Sequence, residues 1–189
     1  FGIQKKNFSQ TKQPIIPNII LENREKFKVG YAGSIGISNA LDNLIESIAI
    51  LDGSDNRIHF FILGDGALIE DYKFRLKNCN NVSFVGKVPR ENVSNYLEGM
   101  DLLFFSAKPN EIWKYGWSPN KLIDYMLAKK PILAAYDGYQ SMINEANCGY
   151  FIKSGSTYSL LEAFKKISNL PQSELEKLGY NGYEWLVTN

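Results

Sequence analysis

Short apolar runs alternate along the chain with longer segments in which apolar residues recur every three or four positions. That alternation predicts strands and helices in succession. Residues 27–32 (FKVGYA), 58–63 (IHFFIL), 82–85 (VSFV), 101–105 (DLLFF), 131–136 (PILAAY) and 149–152 (GYFI) have the length and continuity of buried strands. Between them, Leu41, Leu44, Ile45, Ile48 and Leu51 repeat at helical spacing, with Ser38 or Asn39 as the expected cap. Leu68, Ile69, Tyr72 and Leu76 mark a second helix, and Val93, Tyr96 and Leu97 mark a short third one opened by Pro89. Leu122, Tyr125 and Met126 mark a fourth, with Ser118 as N-cap and Pro119 in its first turn. Segments 140–146, 156–168 and 173–186 complete the helical set.

Six short strands separated by amphipathic helices predict an α/β fold, a Rossmann-like doubly wound parallel sheet of about six strands with both faces covered. Right-handed crossovers bring every strand-to-helix loop to one edge of such a sheet. That edge collects Gly33 to Ser38, Gly64 to Gly66, Gly86 to Val88, the long loop 107–118 and Asp137-Gly138. Residues 1–26 are polar, carry Pro14 and Pro17, and show no helical periodicity. They read as an interdomain linker, with residues 27–189 as one domain.

Composition narrows the function classes. With 189 residues, 44% hydrophobic and a net charge of +1, the chain is an ordinary globular domain, and bulk electrostatics gives no reason to expect a nucleic-acid partner. Lys129-Lys130 leaves room for a phosphate or a lipid headgroup. Cys79 and Cys148 have no CxxC partner and read as reduced thiols; no metal-ligand spacing surrounds the single His59, so no metal site is expected. His59 itself reads as a hydrogen-bonded strand residue. No apolar run is long enough to span a bilayer. The chain begins with Phe, and a second domain is expected on its N-terminal side.

The chemistry concentrates where the fourth helix begins. Backbone N–H groups of a first turn and the positive end of the helix dipole favour an anion, and Lys121 adds an ammonium there. Asp124, one turn on, suits a pair of vicinal hydroxyls. An amphipathic helix with solvated charges would carry the same two residues. Gly33-Ser34-Ile35-Gly36 lacks the GxGxxG spacing but follows the first strand, where a diphosphate or sugar contact is expected. In Gly64-Asp65-Gly66, the aspartate reads as a helix cap. Gly86, Lys87 and Val88 can offer backbone groups to a nucleobase edge. Glu111 and Lys114 read as solvated, while Trp113, Tyr115 and Trp117 suit either stacking on a sugar or base, or packing against another domain.

In order and spacing, PNII (17–20), YAGSIG, FILGDG, VSFVGKVP, DLLFFS and SPNKLIDYMLAKKPILA resemble the C-terminal, donor-binding half of a two-domain GT-B glycosyltransferase of the retaining group called family 4. The resemblance covers about residues 16–168. It implies a nucleoside-diphosphate sugar as donor substrate, no cofactor, no obligatory metal, and a saccharide or lipid-linked acceptor bound by an N-terminal domain outside this chain, so that the fragment alone would be inactive. It implies a cytoplasmic location, with room for peripheral contact with the inner membrane. The SPNK pattern resembles a bacterial subgroup that builds surface polysaccharides or lipopolysaccharide.

By that resemblance Asp124 replaces the glutamate that holds the ribose hydroxyls, and Gly116 stands where a paired glutamate is usual. Ser34 and Asn39 stand where a basic pair is usual. Lys121, with N–H groups around Ser118 and Asn120, is then the group expected to compensate the leaving diphosphate and so to serve catalysis. The expected substrate-binding set is Gly33, Ser34, Gly36, Gly64, Gly86, Lys87, Val88, Gly116, Trp117, Ser118, Pro119, Asn120, Lys121 and Asp124. Two other functions use the same architecture: a nucleotide-sugar 2-epimerase, which would need acid–base groups near the sugar, and a non-catalytic sugar-nucleotide-binding module.

Overall fold

A computed structural model describes residues 15–111, 115, 120–138 and 142–189. Six strands form one parallel sheet: β1 (Phe27–Ala32), β2 (Ile58–Leu63), β3 (Val82–Gly86), β4 (Leu102–Ser106), β5 (Ile132–Ala135) and β6 (Gly149–Ile152). Their order is β3-β2-β1-β4-β5-β6, and every pair is parallel. The chain therefore winds outward from β1 through β3, returns to β1's other side, and winds outward again. The reversal point lies between β1 and β4, where a doubly wound sheet opens a crevice at its carboxyl edge.

Strand alternation divides the core into two layers. Phe60, Ile62, Leu102 and Phe104 face one layer, under α2 (Asp42–Ser54) and α7 (Thr157–Ile167). Phe61, Leu63, Leu103 and Phe105 face the other, under α4 (Val93–Glu98), α5 (Asn120–Leu127) and α8 (Gln172–Thr188). Both faces being covered explains why β2 reads as six consecutive buried positions. Two short helices, α3 (Ile69–Arg75) and α6 (Met142–Glu145), complete the crossovers.

Several local expectations are corrected. The segment expected to lack helical periodicity carries α1 (Asn18–Leu21), whose Ile20 is buried in the second layer. Ser38 and Asn39 do not cap α2; a 3-10 turn (Ile37–Asn39) and Ala40 in the left-handed region (φ 47°) intervene, and the helix starts one residue after Leu41. Asp65 does not cap α3 but accepts a hydrogen bond from the Gly66 N–H at 2.7 Å. Asp101 lies outside β4, where its carboxylate accepts from the Lys28 backbone N–H and pairs with the Lys28 ammonium, each at 2.7 Å. Ser156 caps α7 as expected, accepting from the Ser159 N–H.

Candidate functional site

A cavity of about 520 Å³ opens beyond the carboxyl ends of β1, β2 and β3 and is closed on one side by α5. Its floor is backbone. Gly33 N–H donates to the Leu63 carbonyl at 3.0 Å, and Gly64 N–H to the Gly86 carbonyl at 2.8 Å, so the loops after three neighbouring strands are tied together. The first two loops touch so closely that a Cβ on Gly64 would stand 1.8 Å from the Gly33 carbonyl oxygen, and Gly64 has φ of +132°. No side chain fits there, and the floor stays open to a ligand.

β1 and β4 pair only at Val29–Leu102 and Gly30–Leu103, then diverge. The divergence leaves the Ala32 N–H and the Phe104 carbonyl without a strand partner, and the Tyr125 hydroxyl, fully buried in α5, bridges them. It accepts from Ala32 N–H and donates to the Phe104 carbonyl, both at 3.0 Å. Tyr125 thus fixes the helix against the switch point. Lys121, four residues earlier on the same helix face, is carried into the same opening.

The Lys121 ammonium donates to Asn39 Oδ1 at 2.8 Å and to the Tyr31 hydroxyl at 3.3 Å. It lies 4.8 Å from the Tyr31 ring centroid and 5.6 Å from that of Phe105. Tyr31 donates onward to the Ser34 carbonyl at 2.7 Å, and Asn39 Nδ2 donates to Ser34 Oγ at 3.0 Å. Aromatic faces and neutral acceptors hold the cation, and burial pulls its pKa from 10.5 down to about 8. The cost of a buried ammonium falls when an anion enters beside it. Such an anion would lie against Gly33, whose Cβ position is 3.0 Å from Lys121 Nζ.

Asp124 faces the same cavity one turn further along α5. Both its oxygens are engaged by Arg90, at 2.6 Å (Nη1 to Oδ2) and 2.7 Å (Nη2 to Oδ1). Arg90 follows Pro89 in the loop after β3, and its hydrogen bonds to Asp124 raise its own pKa.

Of the expected binding residues, Gly33, Ser34, Gly64, Lys87, Val88, Asn120, Lys121 and Asp124 line this one cavity. Gly36 and Gly86 do not. Gly36 has nothing within 4 Å of its Cβ position, and Gly86 acts from behind, through its carbonyl bond to Gly64. Gly116, Trp117, Ser118 and Pro119 lie outside the described residues, as do Trp113, Lys114 and Gln140. Tyr115 is 92% exposed, and Glu111 is exposed. His59 is buried in β2, within 2.9 Å of Ser83 Oγ, and does not line the cavity.

Sequence reasoning missed Arg90 and Tyr125 as cavity residues, and Tyr31 behind them; Asp65 and Gly66, expected on the loop edge but not among the binding residues, line the cavity as well. Tyr125 carries the periodic signature of a core residue, which it is; only the strand divergence reveals its polar task. Asn39 reads from the sequence as a helix cap or as an uncharged residue in a basic position, whereas its side chain accepts from the lysine and orients it.

Comparison with known proteins agrees with the fold. Residues 12–185 match the sequence family described as glycosyl transferases group 1. No curated protein matches the chain significantly. Among solved structures, WaaG, a glycosyltransferase involved in lipopolysaccharide biosynthesis, is 25% identical over all of this chain and 51% of its own, with a TM-score of 0.72. HepE of Anabaena, solved with UDP and glucose, is 15% identical over 98% of this chain and 48% of its own, with a TM-score of 0.72. The C-terminal domain of LpcC, a group 1 glycosyl transferase of Francisella tularensis, is 15% identical over 100% of this chain and 98% of its own, with a TM-score of 0.73. The chain thus spans about half the length of WaaG and HepE and nearly the whole of the isolated LpcC domain. Among the described residues, no helix is long and apolar enough to cross a membrane.

Proposed function

The chain belongs to the glycosyl transferases group 1 family, and from that premise we propose that its cavity binds the nucleoside-diphosphate-sugar donor of a retaining, family 4-like glycosyltransferase. One observation carries the reading: Lys121 and Asp124 project from successive positions on one helix face into a single cavity floored by Gly33 and Gly64. Residues three apart on a helix lie about 5–6 Å apart at Cβ, a separation comparable to that between a ribose diol and the diphosphate attached to the same sugar. Asp124 takes the ribose hydroxyls, Lys121 and the loop after β1 take the diphosphate, and the loop after β3 at Lys87 and Val88 meets the base.

The reaction follows from that placement. The bond from the sugar C1 to the β-phosphate oxygen breaks, its electron pair stays on the phosphate, the acceptor hydroxyl oxygen forms the new bond to C1, and the hydroxyl proton passes to the departing phosphate oxygen. Negative charge grows on the departing diphosphate, where a preorganised ammonium in a low-dielectric site stabilises it most. A metal ion is not needed as the counter-charge in this reading.

UDP is the nucleotide we favour, by likeness to HepE, and polysaccharide or lipopolysaccharide assembly is the setting we favour, by likeness to WaaG; a cytoplasmic location is part of the same proposal. The acceptor, a saccharide or a lipid-linked one, would be held by a second domain. The 2-epimerase reading loses support because His59 lies outside the cavity. Gly116, standing where a glutamate is usual, favours the non-catalytic alternative. Product analysis with the full-length protein separates the three: a glycoside supports the transferase, an altered free sugar nucleotide the epimerase, and binding without turnover the module.

Calorimetric titration of UDP and GDP into the wild-type chain and the Asp124→Ala variant tests the donor site. UDP is expected to bind, with affinity reduced at least about tenfold in the variant, since hydrogen bonds to a charged group contribute about 1.5–3 kcal/mol. Absence of binding by both nucleotides, or equal binding by both proteins, would overturn the assignment.

A further inference from the structure

The Arg90–Asp124 pair does more than decorate the rim, because the carboxylate assigned to the ribose is already occupied in both oxygens. A guanidinium meets a carboxylate with two parallel N–H···O bonds, one to each oxygen. A cis-vicinal diol meets it in the same two-to-two fashion, with one hydroxyl donating to each oxygen. The two partners claim the same in-plane positions, so they cannot both hold Asp124 in this way at once.

Burial is unequal across the pair. The Arg90 side chain is 74% exposed and the Asp124 side chain 19%. Water can therefore take over the guanidinium when it leaves, while the carboxylate stays in place on α5. A second cavity of about 220 Å³ adjoins the first and shares Arg90, Val93, Leu97 and Asp124 with it, so the ion pair stands as the partition between two spaces. Glu98 lines the far space and offers a second carboxylate on that side.

We propose that Arg90 acts as an internal competitor: it latches Asp124 in the nucleotide-free chain and is displaced by a ligand that returns hydrogen bonds to both oxygens, best of all a ribose with both hydroxyls. The inference rests on the ribose assignment of Asp124. The latch weakens, by one common factor, every ligand that must free the carboxylate. A deoxyribose returns one bond for the two that are broken, so it binds more weakly than a ribose by what the missing hydroxyl contributes, while a ligand that does not reach Asp124 leaves the latch closed. Removing the guanidinium relieves the competition by the same factor for each ligand that must free Asp124, and leaves a ligand that does not reach Asp124 unchanged.

The test is calorimetric titration of UDP and 2′-deoxy-UDP into the wild type, Arg90→Met and Asp124→Asn, paired with nitrogen-15 NMR of the Arg90 guanidinium. Arg90→Met is expected to bind UDP about 2- to 5-fold more tightly, the range set by exposed ion pairs, and to bind the deoxy analogue more tightly by a similar factor. In the wild type the Arg90 guanidinium signal is expected to show hindered rotation in the free chain and to approach freely rotating arginine when UDP saturates. Weaker or unchanged UDP binding by Arg90→Met, or a guanidinium signal unmoved by UDP, would overturn the latch. Asp124→Asn keeps that outcome separate from the underlying assignment: if it binds UDP as the wild type does, the ribose assignment has failed; if it binds weakly while Arg90→Met shows no gain, only the latch has failed.

Discussion

If Lys121 is the diphosphate's counter-charge, nucleotide binding must draw a proton from solution at mildly alkaline pH. In the free chain, burial lowers the Lys121 pKa from 10.5 to about 8, a difference corresponding to about 3 kcal/mol of cost for the charged form. A diphosphate alongside the ammonium returns favourable interaction to that form and raises the pKa again. At pH 8.5 the ammonium is present in roughly a quarter of free molecules and in nearly all bound ones, so UDP binding should take up about 0.7 proton. The terminal phosphate, with a pKa near 6, is already fully ionised there and contributes little. Titration calorimetry at pH 8.5 in buffers of different ionisation enthalpy measures the uptake directly, and the same titration on Lys121→Met should bring it close to zero.

The sign for stability runs the other way. Between about pH 8 and pH 10.5 the unfolded chain holds more protons at this lysine than the folded chain, so this group's contribution to stability rises with pH across that window. Below pH 8 the full cost is present. Lys121→Met should therefore stabilise the ligand-free fold at neutral pH by about 1–2 kcal/mol, once the lost bonds to Asn39 and Tyr31 are set against the relieved burial. Uptake below about 0.2 proton in the wild type, or uptake unchanged in the variant, would refute this account of the lysine.

Two further outcomes follow from the geometry. Tyr125→Phe leaves the Ala32 N–H and the Phe104 carbonyl without their bridge, and denaturant unfolding should show a loss of about 2–3 kcal/mol, as expected for buried unsatisfied groups; a loss under about 0.5 kcal/mol would mean that the strands do not rely on it. Gly64→Ala and Gly36→Ala form a matched pair. The first forces a Cβ to within 1.8 Å of the Gly33 oxygen and should cost about 2–4 kcal/mol and weaken UDP binding, whereas the second, with nothing within 4 Å, should change stability by less than about 0.5 kcal/mol. Equal melting temperatures for the two would contradict the described floor.

The strands and the doubly wound plan were legible in the sequence because strands buried on both faces must be apolar throughout, as IHFFIL is. The rim glycines and the Lys121–Asp124 spacing were legible because chain connectivity alone brings those loops to one edge. What stayed hidden depended on contacts distant in sequence. Arg90 reaches Asp124 across 34 residues, and no local pattern announces such a pair. Asn39 looked like a cap, but the left-handed turn at Ala40 moved the start of α2 to Asp42 and left Asn39 facing Lys121. Gly33 and Gly36 share the loop after β1, and only the positions of their neighbours separate the one beside the ammonium from the one in open space.

A crystal structure of the chain with UDP tests the central claim most directly. The account predicts the ribose hydroxyls within hydrogen-bonding distance of the Asp124 carboxylate, with Arg90 released from it, and diphosphate oxygens beside Lys121 Nζ over the Gly33–Gly64 floor. UDP bound elsewhere, or bound here with its ribose turned away from Asp124 and its phosphates away from Lys121, would contradict it.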